Sequence, residues 1–344
     1  MVSLILLFLK YSNYNMFKIN SKSLFISKKN KKISLYYGYN SITECSRNEL
    51  IIKVKYSSIN YKDYLILNAN PGLVRKFPHI AGIDAVGLIH KSYSKKFKKG
   101  DKVFIIGRSL GVNIKGGYSE FIKVPANWVD HLPIGISMKK MIFFGTPGLT
   151  AANAVENILE NKNLNRNLPI LVSGATGGVG MFVIMFLKKF GFKTEALIRN
   201  KKSNMFLKKI QNDKTINKQF LLNNFKLPIN RKNYSAAVDN LGGNIVMPIL
   251  SQIENEGLFI SIGNVIDDNI SISILPFILR GIKFYGLNTE SIDNKKRKKL
   301  FNKYLQIISN YRVDNFCSEI LFENLKSKIK TYKKNSIGRI IIKF

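Results

Sequence analysis

The sequence predicts a two-domain α/β protein in which a β-rich unit precedes a parallel-sheet unit. Residues 16–144 contain short runs rich in β-branched and aromatic side chains, separated by Gly, Asn and Pro, which is typical of a β-rich fold. Residues 145–286 alternate strand-like and helix-like runs, which indicates a parallel sheet with flanking helices. Within this second region, residues 170–199 read ILVSGATGGVGMFVIMFLKKFGFKTEALIR, a strand, a glycine-rich turn, a helix and a second strand.

The glycine-rich turn is the most informative stretch of the chain. Its glycines, at positions 174, 177, 178 and 180, let the backbone turn tightly and approach a ligand closely. The helix that follows offers unpaired N–H groups and a favourable dipole to an anion at its N-terminus. No Gly-Lys-Ser/Thr sequence ends the stretch, so it is not a Walker-type loop. Placed between two strands, the turn predicts binding of a dinucleotide through its diphosphate.

The end of the second strand bears on which nicotinamide cofactor is bound. A strand in this position ends in Asp or Glu when it must accept hydrogen bonds from the ribose of NAD. Here the chain reads Ile198, Arg199, Asn200 and then two lysines, and a guanidinium binds phosphate oxygens well. These residues predict NADPH, although lysine is common enough in this chain for cations to follow a strand by chance.

Further elements follow from the same patterns. In the β-rich region we predict strands over 50–57, 85–90, 102–107 and 118–124. In the α/β region we predict strands over 170–173, 194–198, 235–239 and 257–262, and helices over 179–190, 203–210 and 244–253. The tail adds a helix over 298–309 and a strand over 339–343.

These elements predict the domain boundaries. A β-rich catalytic domain is expected over 16–144 plus 287–344, and an α/β cofactor domain over 145–286. Met16 begins a fresh polar–apolar pattern. We therefore predict that residues 1–15 are a non-native start or a disordered extension.

The charge of the chain suggests a second class of function. The 344 residues carry a formal net charge of +34, which is typical of proteins that bind nucleic acid or anionic membranes. The lysines, however, form separate short clusters at 28–32, 95–99 and 295–299. Lys, Asn and Ile abound together, as an AT-rich genome would produce. We therefore expect no nucleic-acid or membrane partner, and keep nucleic-acid binding as the alternative from another class.

Cysteine and histidine content argues against disulfides and metal. Cys45 and Cys317 are far apart in the sequence, which favours a reducing, cytoplasmic compartment. Three histidines and two cysteines do not form a zinc-binding pattern, so no metal is expected. No apolar run reaches 18 residues, and the N-terminus has no basic region or clear cleavage site, so neither a membrane span nor a signal peptide is predicted.

Seven motifs carry a resemblance to a known family. They occur in that family's order and span the chain from about residue 16 to its end: SSINYKD (57–63), FPHIAGIDAVG (77–87), GGYSEF (116–121), GTPGLTA (145–151), SGATGGVG (173–180), AAVDNLGG (236–243) and LPFILRG (275–281). The sequence resembles the medium-chain dehydrogenase/reductases, and within them the zinc-free quinone-oxidoreductase branch typified by NADPH-dependent acrylyl-CoA reductases. The resemblance implies a GroES-like catalytic domain and a Rossmann cofactor domain. Zinc-dependent members have Gly-His-Glu where this chain has Gly82, Ile83 and Asp84.

The resemblance also implies a set of cofactor-binding residues. Tyr61 would lie beside the nicotinamide, and residues 176–180 would hold the diphosphate. Lys218 falls where relatives have a second phosphate-binding arginine. Relatives have Ser/Thr-Gly-Arg around the adenosine phosphate, so the arginine stands one place early here. The full implied set is Tyr61, Thr176, Gly177, Gly178, Val179, Gly180, Ile198, Arg199, Asn200, Lys218, Asn264, Ile278, Thr289 and Arg339.

The implied reaction is transfer of a hydride from NADPH to the β-carbon of a small α,β-unsaturated carbonyl, most simply acrylyl-CoA to propionyl-CoA. The enolate formed needs a hydrogen-bond donor at its oxygen and a proton at its α-carbon. Tyr61 and Asn60 are the candidate donors, and Asp63 and Asp84 are the nearest carboxylates. Each has an alternative structural role: stacking for Tyr61, turn or helix capping for Asn60 and Asp63, and support of a glycine turn for Asp84.

The substrate is left open between two chemistries. Relatives have tryptophans in a glycine-rich loop where this chain has Arg108 and Lys115, which makes that loop more cationic. Loss of the tryptophans favours a quinone reductase of the same fold, whereas acyl-CoA phosphates would favour the added cations. By resemblance, the protein is also expected to form a homodimer.

Overall fold

A computed structural model describes residues 18–30, 32–68, 72–199, 203–335 and 337–344. These residues form two compact units. The β-rich unit comprises the chain up to Met138 together with Ile320–Thr331 and Ile342–Phe344. The α/β unit comprises Lys139–Glu319 together with Tyr332–Ile341.

The β-rich unit is built mainly from two sheets. Its strands are β1 (Lys18–Lys29), β2 (Lys32–Thr43), β3 (Glu49–Ile59), β4 (His79–Ile80), β5 (Asp84–Ser92), β6 (Lys102–Ile106), β7 (Phe121–Pro125) and β8 (Asp130–His131). The first sheet has the order β2–β1–β4. The second has the order β3–β5–β6–β8, with β7 paired to β3, and it continues beyond β3 into two strands from the tail, β15 (Cys317–Leu321) and β16 (Arg339–Lys343).

Alternating apolar residues on these strands close the core of the β-rich unit. Strands β3 and β5 pair antiparallel, with Leu50 opposite Ser92 at one end and Ser57 opposite Ala85 at the other. Their inward side chains meet those of β6 and β7 in one cluster: Leu50, Ile52, Val54, Ala85, Ile89, Val103, Ile105, Ile122 and Val124. A short helix, α1 (Tyr61–Leu67), follows β3 directly, so this core fixes where α1 begins.

The α/β unit contains one six-stranded parallel sheet. Its strands are β9 (Ile170–Val172), β10 (Thr194–Ile198), β11 (Lys214–Asn217), β12 (Tyr234–Asp239), β13 (Ile253–Ser261) and β14 (Lys283–Gly286). Their order is β11–β10–β9–β12–β13–β14, and every neighbouring pair is parallel. Counted within this sheet, the order is 3-2-1-4-5-6, the arrangement of dinucleotide-binding sheets. The direction of winding therefore reverses between β9 and β12.

Helices flank this parallel sheet. They are α2 (Met138–Glu160), α3 (Gly178–Lys189), α4 (Asn204–Lys209), α5 (Lys218–Asn223), α6 (Val246–Leu250), α7 (Leu275–Arg280) and α8 (Asn294–Ser309). Helix α2 is broken at Gly145, whose φ of 50° and ψ of −163° are not helical. Helix α3 is buried from Gly180 to Leu187, as expected of a segment that is apolar on all faces.

The tail of the chain, residues 287–344, is shared between the two units, whereas we predicted that all of it belongs to the β-rich domain. We placed all of 287–344 with the β-rich domain, but residues up to Glu319, including α8, cluster with the α/β unit. Aromatic packing explains the difference, because the Phe301 ring lies 5.8 Å from Phe144 and the Tyr304 ring 4.6 Å from Phe186. The extension predicted over 1–15 lies outside the described residues.

Most predicted elements are present, with shifted ends. Strands β10 and β16 match their predicted bounds, and α3 and β5 differ by one or two residues. The predicted helix over 244–253 is shorter, since a 3-10 turn occupies Gly243–Ile245 before α6 begins. The sequence did not indicate the strands β1, β2, β4, β8, β11, β14 and β15, or the helices α1, α2, α5, α7 and the last helix, α9 (Leu325–Asn335). The inward face of β1 includes the buried Ser21 and Ser23, which weakens the apolar alternation.

The described residues contain neither a membrane-spanning helix nor a cluster of metal ligands. None of their helices combines the length and apolarity needed to cross a bilayer. No cluster of three or more His, Cys, Asp or Glu side chains that could hold a metal ion occurs among them. Both cysteines are free thiols, Cys45 buried and Cys317 half-buried.

Candidate active site

The glycine-rich loop joins β9 to α3 at the point where the winding of the sheet reverses. Gly177 is the N-cap of α3 and supplies no side chain to cap it. Residues 176–179 are only half-buried, and N–H groups in the first turn of a helix have no intrahelical acceptor. The backbone of this loop therefore presents donors and a positive dipole end to an anion.

Two glycines in the loop are closely packed, and at Gly180 the packing leaves no room for a side chain. A methyl group on Gly180 would lie 2.4 Å from the carbonyl oxygen of Gly174 and 2.8 Å from the Cα of Ala175, which backbone atoms cannot accommodate. A methyl group on Gly178 would lie 3.2 Å from both Pro147 and Arg339. The loop is thus packed on its protein side, while its other side stays accessible.

Arg339 supports this loop from inside the protein. It is only 2% exposed, and its Nε donates to the carbonyl oxygen of Phe143 over 3.1 Å. The neighbouring Gly338 N–H donates to the carbonyl oxygen of Thr176 over 2.8 Å. The structure therefore places Arg339 beneath the loop and in contact with its backbone.

A buried polar network that the sequence analysis missed holds the loop from the sheet side. The Ser173 hydroxyl donates to a carboxylate oxygen of Asp239, and the Asn240 amide donates to the Ser173 carbonyl oxygen over 2.8 Å. Asp239 also accepts N–H bonds from Leu241 and Gly242, at 3.1 and 2.9 Å. Burial raises the pKa of Asp239 above its ordinary value, although these hydrogen bonds oppose the shift. The sequence signal for this network was a polar residue, Ser173 or Asp239, at the end of each of two apolar strands that are neighbours in the sheet.

The predicted adenosine-phosphate residues come together at the ends of two neighbouring strands. Ile198 on β10 is paired with Asn217 on β11, so the residues that follow them, Arg199 and Lys218, leave the sheet side by side. Ile198 is buried and Arg199 is exposed. Asn200 lies outside the described residues.

A cavity of about 530 Å³ lies at the far half of the same sheet edge. Asn264 lines it together with residues from the ends of β13 and β14, including Ser261, Gly263, Gly286 and Asn288. Ligands of parallel sheets bind beyond the carboxyl ends of the strands, and this cavity has that position.

Two further predicted residues have contrasting environments. The Thr289 Oγ1 is shielded from solvent and has no hydrogen-bond partner within the described chain. A shielded hydroxyl of this kind suits a ligand contact. Ile278, on α7, is 68% exposed, so within a single chain it lines no enclosed site.

In the β-rich unit, the start of α1 is fixed by a buried side-chain network. Asn60 caps the helix, and the Asp63 carboxylate accepts from both the backbone N–H and the side-chain amide of Asn60, at 3.0 and 3.1 Å. The other oxygen of Asp63 accepts N–H bonds from Gly82 and Ile83, at 3.0 and 2.9 Å. Asp63 therefore ties α1 to the loop that precedes β5.

Asp84 completes this network. It is fully buried, and its carboxylate accepts from the Asn60 amide at 3.0 Å, from the Ser58 hydroxyl at 3.3 Å and from the Gly107 N–H at 3.3 Å. Burial, and secondarily the Asp84 carboxylate, raise the pKa of Asp63 to about 7. Two carboxyl groups are thus held in one dry site, where an uncharged state of Asp63 is accessible near neutral pH.

Tyr61 is the predicted catalytic residue that remains partly exposed. It is the first residue of α1, directly after the cap Asn60, and its ring stacks on Tyr64 with centroids 6.1 Å apart. The structure therefore separates the four catalytic candidates into two groups. Asn60, Asp63 and Asp84 form hydrogen bonds within the protein, and they fix the helix turn from which Tyr61 projects.

Comparison with known proteins identifies the class of this fold. The family model for the alcohol dehydrogenase GroES-like domain matches residues 46–134. The chain is 30% identical to the putative quinone oxidoreductase YhfP of Bacillus subtilis, over 90% of this chain and 95% of that protein. It is also 30% identical to the acrylyl-CoA reductase AcuI of Ruegeria pomeroyi, over 72% of this chain and 76% of that protein.

Solved structures agree with these relatives. The crystal structure of B. subtilis YhfP with NAD bound superposes with a TM-score of 0.86 at 29% identity, covering 95% of this chain and all of that one. The YhdH oxidoreductase of Salmonella enterica in complex with NADP superposes with a TM-score of 0.87 at 23% identity, covering 94% and 99%. The chain therefore belongs to the medium-chain dehydrogenase/reductase family, in its quinone-oxidoreductase branch, and the predicted fold class is confirmed.

Proposed function

We propose that the protein is an NADPH-dependent reductase of small α,β-unsaturated thioesters, with acrylyl-CoA as the leading substrate. The observation that carries this proposal is the uncapped glycine loop at the switch point of a 3-2-1-4-5-6 sheet. The similarity to the acrylyl-CoA reductase AcuI supports the substrate class.

The residues of the α/β unit fit a dinucleotide. The N–H groups of residues 176–180 would bind the diphosphate, because the start of α3 leaves backbone N–H groups without intrahelical acceptors and Gly177 supplies no side chain to cap them. Arg199 and Lys218 would bind the 2′-phosphate of NADP from two adjacent strand ends. Asn264 and Thr289 would contact the nicotinamide half, beside the cavity that Asn264 lines. Ile278 and Arg339 would contribute less directly, because one is exposed and the other lies under the loop.

NADPH, when bound, supplies the hydride for the reduction. The part proposed for this chain is to hold the substrate carbonyl and to stabilise the charge that develops on its oxygen. The Tyr61 hydroxyl would donate a hydrogen bond to that oxygen. Asn60, Asp63 and Asp84 would act as positioning residues, because their hydrogen bonds fix the first turn of α1.

Replacing Tyr61 tests this assignment. We expect Tyr61→Phe to lower kcat at least tenfold while NADPH affinity changes less than twofold, because only the donor hydroxyl is removed. Tyr39→Phe is the matched control, since Tyr39 is 73% exposed in the same unit. An unchanged kcat for Tyr61→Phe would limit Tyr61 to stacking.

Cofactor choice is tested at the strand ends. Arg199→Ser should weaken NADPH about tenfold and leave NADH unchanged, since one charged contact to phosphate is lost. Arg231→Ser, an exposed arginine in the same unit, is the control. Equal losses for the two nucleotides would exclude a 2′-phosphate contact at Arg199.

A quinone reductase is the second candidate, favoured by the 30% identity to YhfP over most of both chains. Oxidation of NADPH with acrylyl-CoA, crotonyl-CoA and 1,4-benzoquinone separates the two. Faster turnover with the quinone than with either thioester would replace the leading proposal. Absence of NADPH binding would exclude both and favour nucleic-acid binding.

We also propose a cytoplasmic homodimer. Free thiols suit a reducing compartment. Strand β14 ends the order of the parallel sheet, and its Phe284 and Tyr285 are 38% and 42% exposed beside α7. The unpaired backbone groups of an edge strand such as β14 can form hydrogen bonds with a strand of a second copy of the chain. Light scattering should give twice the chain mass, and Tyr285→Glu should shift the protein toward monomer.

A further inference from the structure

One loop of the β-rich unit has an unusual backbone. Gly107, Arg108 and Ser109 follow β6 directly, and all three have positive φ, at 67°, 62° and 59°. Glycine adopts this conformation freely, but a side chain there costs about 1 kcal/mol or more per residue. Arginine and serine in succession are therefore held in place by the surrounding structure.

Hydrogen bonds on both sides of Arg108 hold the loop. The Gly107 N–H donates to the carbonyl oxygen of Ile83 over 3.0 Å, and the Leu110 N–H donates back to the carbonyl oxygen of Gly107 over 3.2 Å. The Ser109 carbonyl oxygen accepts N–H bonds from Val112 and Asn113, at 3.2 and 3.0 Å. The direction in which Arg108 leaves the backbone is thus fixed.

The same loop is linked to the residue that precedes Tyr61. The Gly107 N–H reaches Asp84 Oδ1, and Asp84 Oδ2 accepts from the Asn60 side-chain amide. Two hydrogen bonds therefore connect the backbone at Gly107 to the cap of α1. The Arg108 side chain is half-buried, with its Nε shielded from solvent, so the guanidinium is held close to the protein surface.

We propose that Arg108 determines substrate specificity by binding an anionic group of the substrate, a phosphate of an acyl-CoA thioester. This inference rests on the proposed function, because it names the substrate class of that same site. The guanidinium pairs with phosphate oxygens through two parallel hydrogen bonds, whereas a 1,4-quinone has neither a negative charge nor two neighbouring oxygens to accept such a pair. The strained backbone is explained by this role, since strain of this kind persists where a side chain must be aimed.

A contrast with Lys115 makes the assignment specific. Lys115 lies in the same loop and is exposed, and its Nζ donates to Asn40 Oδ1 over 2.6 Å. Its backbone is not left-handed. Lys115 thus contributes general positive charge, whereas Arg108 has the fixed position that recognition requires.

The test compares charged and uncharged substrates in the Arg108→Gln variant of the full chain. With crotonyl-CoA we expect kcat/KM to fall at least tenfold, mainly through KM. With the crotonyl thioester of pantetheine, which lacks the phosphates, and with 1,4-benzoquinone, we expect less than a twofold change. Lys102→Gln is the control, because it removes the same charge from the other end of β6.

Binding of free coenzyme A provides a second measurement that does not depend on turnover. Calorimetric titration in the presence of NADP should show at least tenfold weaker coenzyme A binding for Arg108→Gln than for the wild type and Lys102→Gln. If the wild type turns over no substrate yet shows this difference, the reaction proposed above fails while the role of Arg108 stands.

A glycine variant separates strain from misfolding. Arg108→Gly should unfold at a higher temperature than Arg108→Gln, because glycine relieves the left-handed strain, and it should show the same loss of discrimination. Equal losses for charged and uncharged substrates, or unchanged coenzyme A affinity in both variants, would overturn the proposal.

Discussion

The glycine-rich loop after β9 and the Asn60–Asp63–Asp84 network before β5 are organised in opposite ways. The loop presents backbone N–H groups, and at Gly180 the absence of a side chain lets its backbone pack on that of Gly174 and Ala175. The network buries three polar side chains that satisfy one another and the backbone around Gly82. We expect the loop to bind its ligand through backbone N–H groups, whereas the network positions α1 through buried side chains.

Because of this difference, we expect substitutions in the loop to lower ligand affinity and substitutions in the network to lower stability. Adding a methyl group at Gly180 forces the packed backbone of the loop to move, and the N–H groups that the loop presents would move with it. Removing an acceptor from the network leaves buried donors unpaired, which costs stability first. Three measurements test this contrast.

The largest effect is expected for Gly180→Ala. The added methyl group would lie 2.4 Å from the Gly174 carbonyl oxygen, so the loop must move. We expect NADPH affinity to fall at least 100-fold, about 2.7 kcal/mol, measured by fluorescence titration. The control is Gly38→Ala, where the methyl group would meet ring carbons of Phe25 at 3.4 Å and of Tyr36 at 3.6 Å. Affinity within threefold of wild type would contradict a backbone-packed loop.

The next effect is expected for Asp63→Asn. An amide has one acceptor oxygen, so at least one pair of the four donors around Asp63 would face an NH₂ group. We expect the free energy of unfolding to fall by about 3 kcal/mol, measured by urea denaturation, with NADPH affinity unchanged.

Asp101→Asn is the control for this measurement. Asp101 accepts a single backbone N–H, from Lys98 at 2.8 Å, so its loss should stay below about 1 kcal/mol. Equal effects of the two substitutions would show that the buried network contributes no more than a surface turn.

The smallest effect is the change that Asp84→Asn makes to the pH dependence of stability. The pKa of Asp63 rises from 3.8 to about 7 on folding, so the folded state binds more protons between these values. The contribution of Asp63 to stability is therefore present at low pH and decreases as pH rises toward 7, by up to about 1.4 kcal/mol per pH unit. Asp84→Asn should flatten this slope, because it removes the neighbouring charge. Unfolding measured from pH 4.5 to 8 checks it, and parallel curves for the two proteins would contradict the coupling.

The sequence predicted the loop more completely than the network. Glycine spacing, two flanking apolar strands and the cations after Ile198 are all local features, and the structure places Arg199 and Lys218 at adjacent strand ends. Asn60, Asp63 and Asp84 could be recognised as candidates from their motifs. Asn60 and Asp63 are three residues apart, but the hydrogen bonds that reach Gly82 from Asp63 and Asp84 from Ser58 join positions 19 and 26 residues apart, which local patterns do not encode.

The tail shows the same limit. Helix α8 was predicted from its amphipathic pattern, but which unit it packs on depended on whether its aromatic face meets Phe144 and Phe186 or another surface. The missed Ser173–Asp239–Asn240 network is a further case, because its members belong to strands separated by more than sixty residues.

The class of fold, the glycine-rich loop and the family could be predicted from the sequence, because strand and helix periodicity and glycine spacing act over a few neighbouring residues. Tertiary structure alone decided which polar side chains are buried together, how Arg108 is held and where the tail belongs. Those outcomes depend on contacts between distant segments, whose free energy appears only when the segments pack.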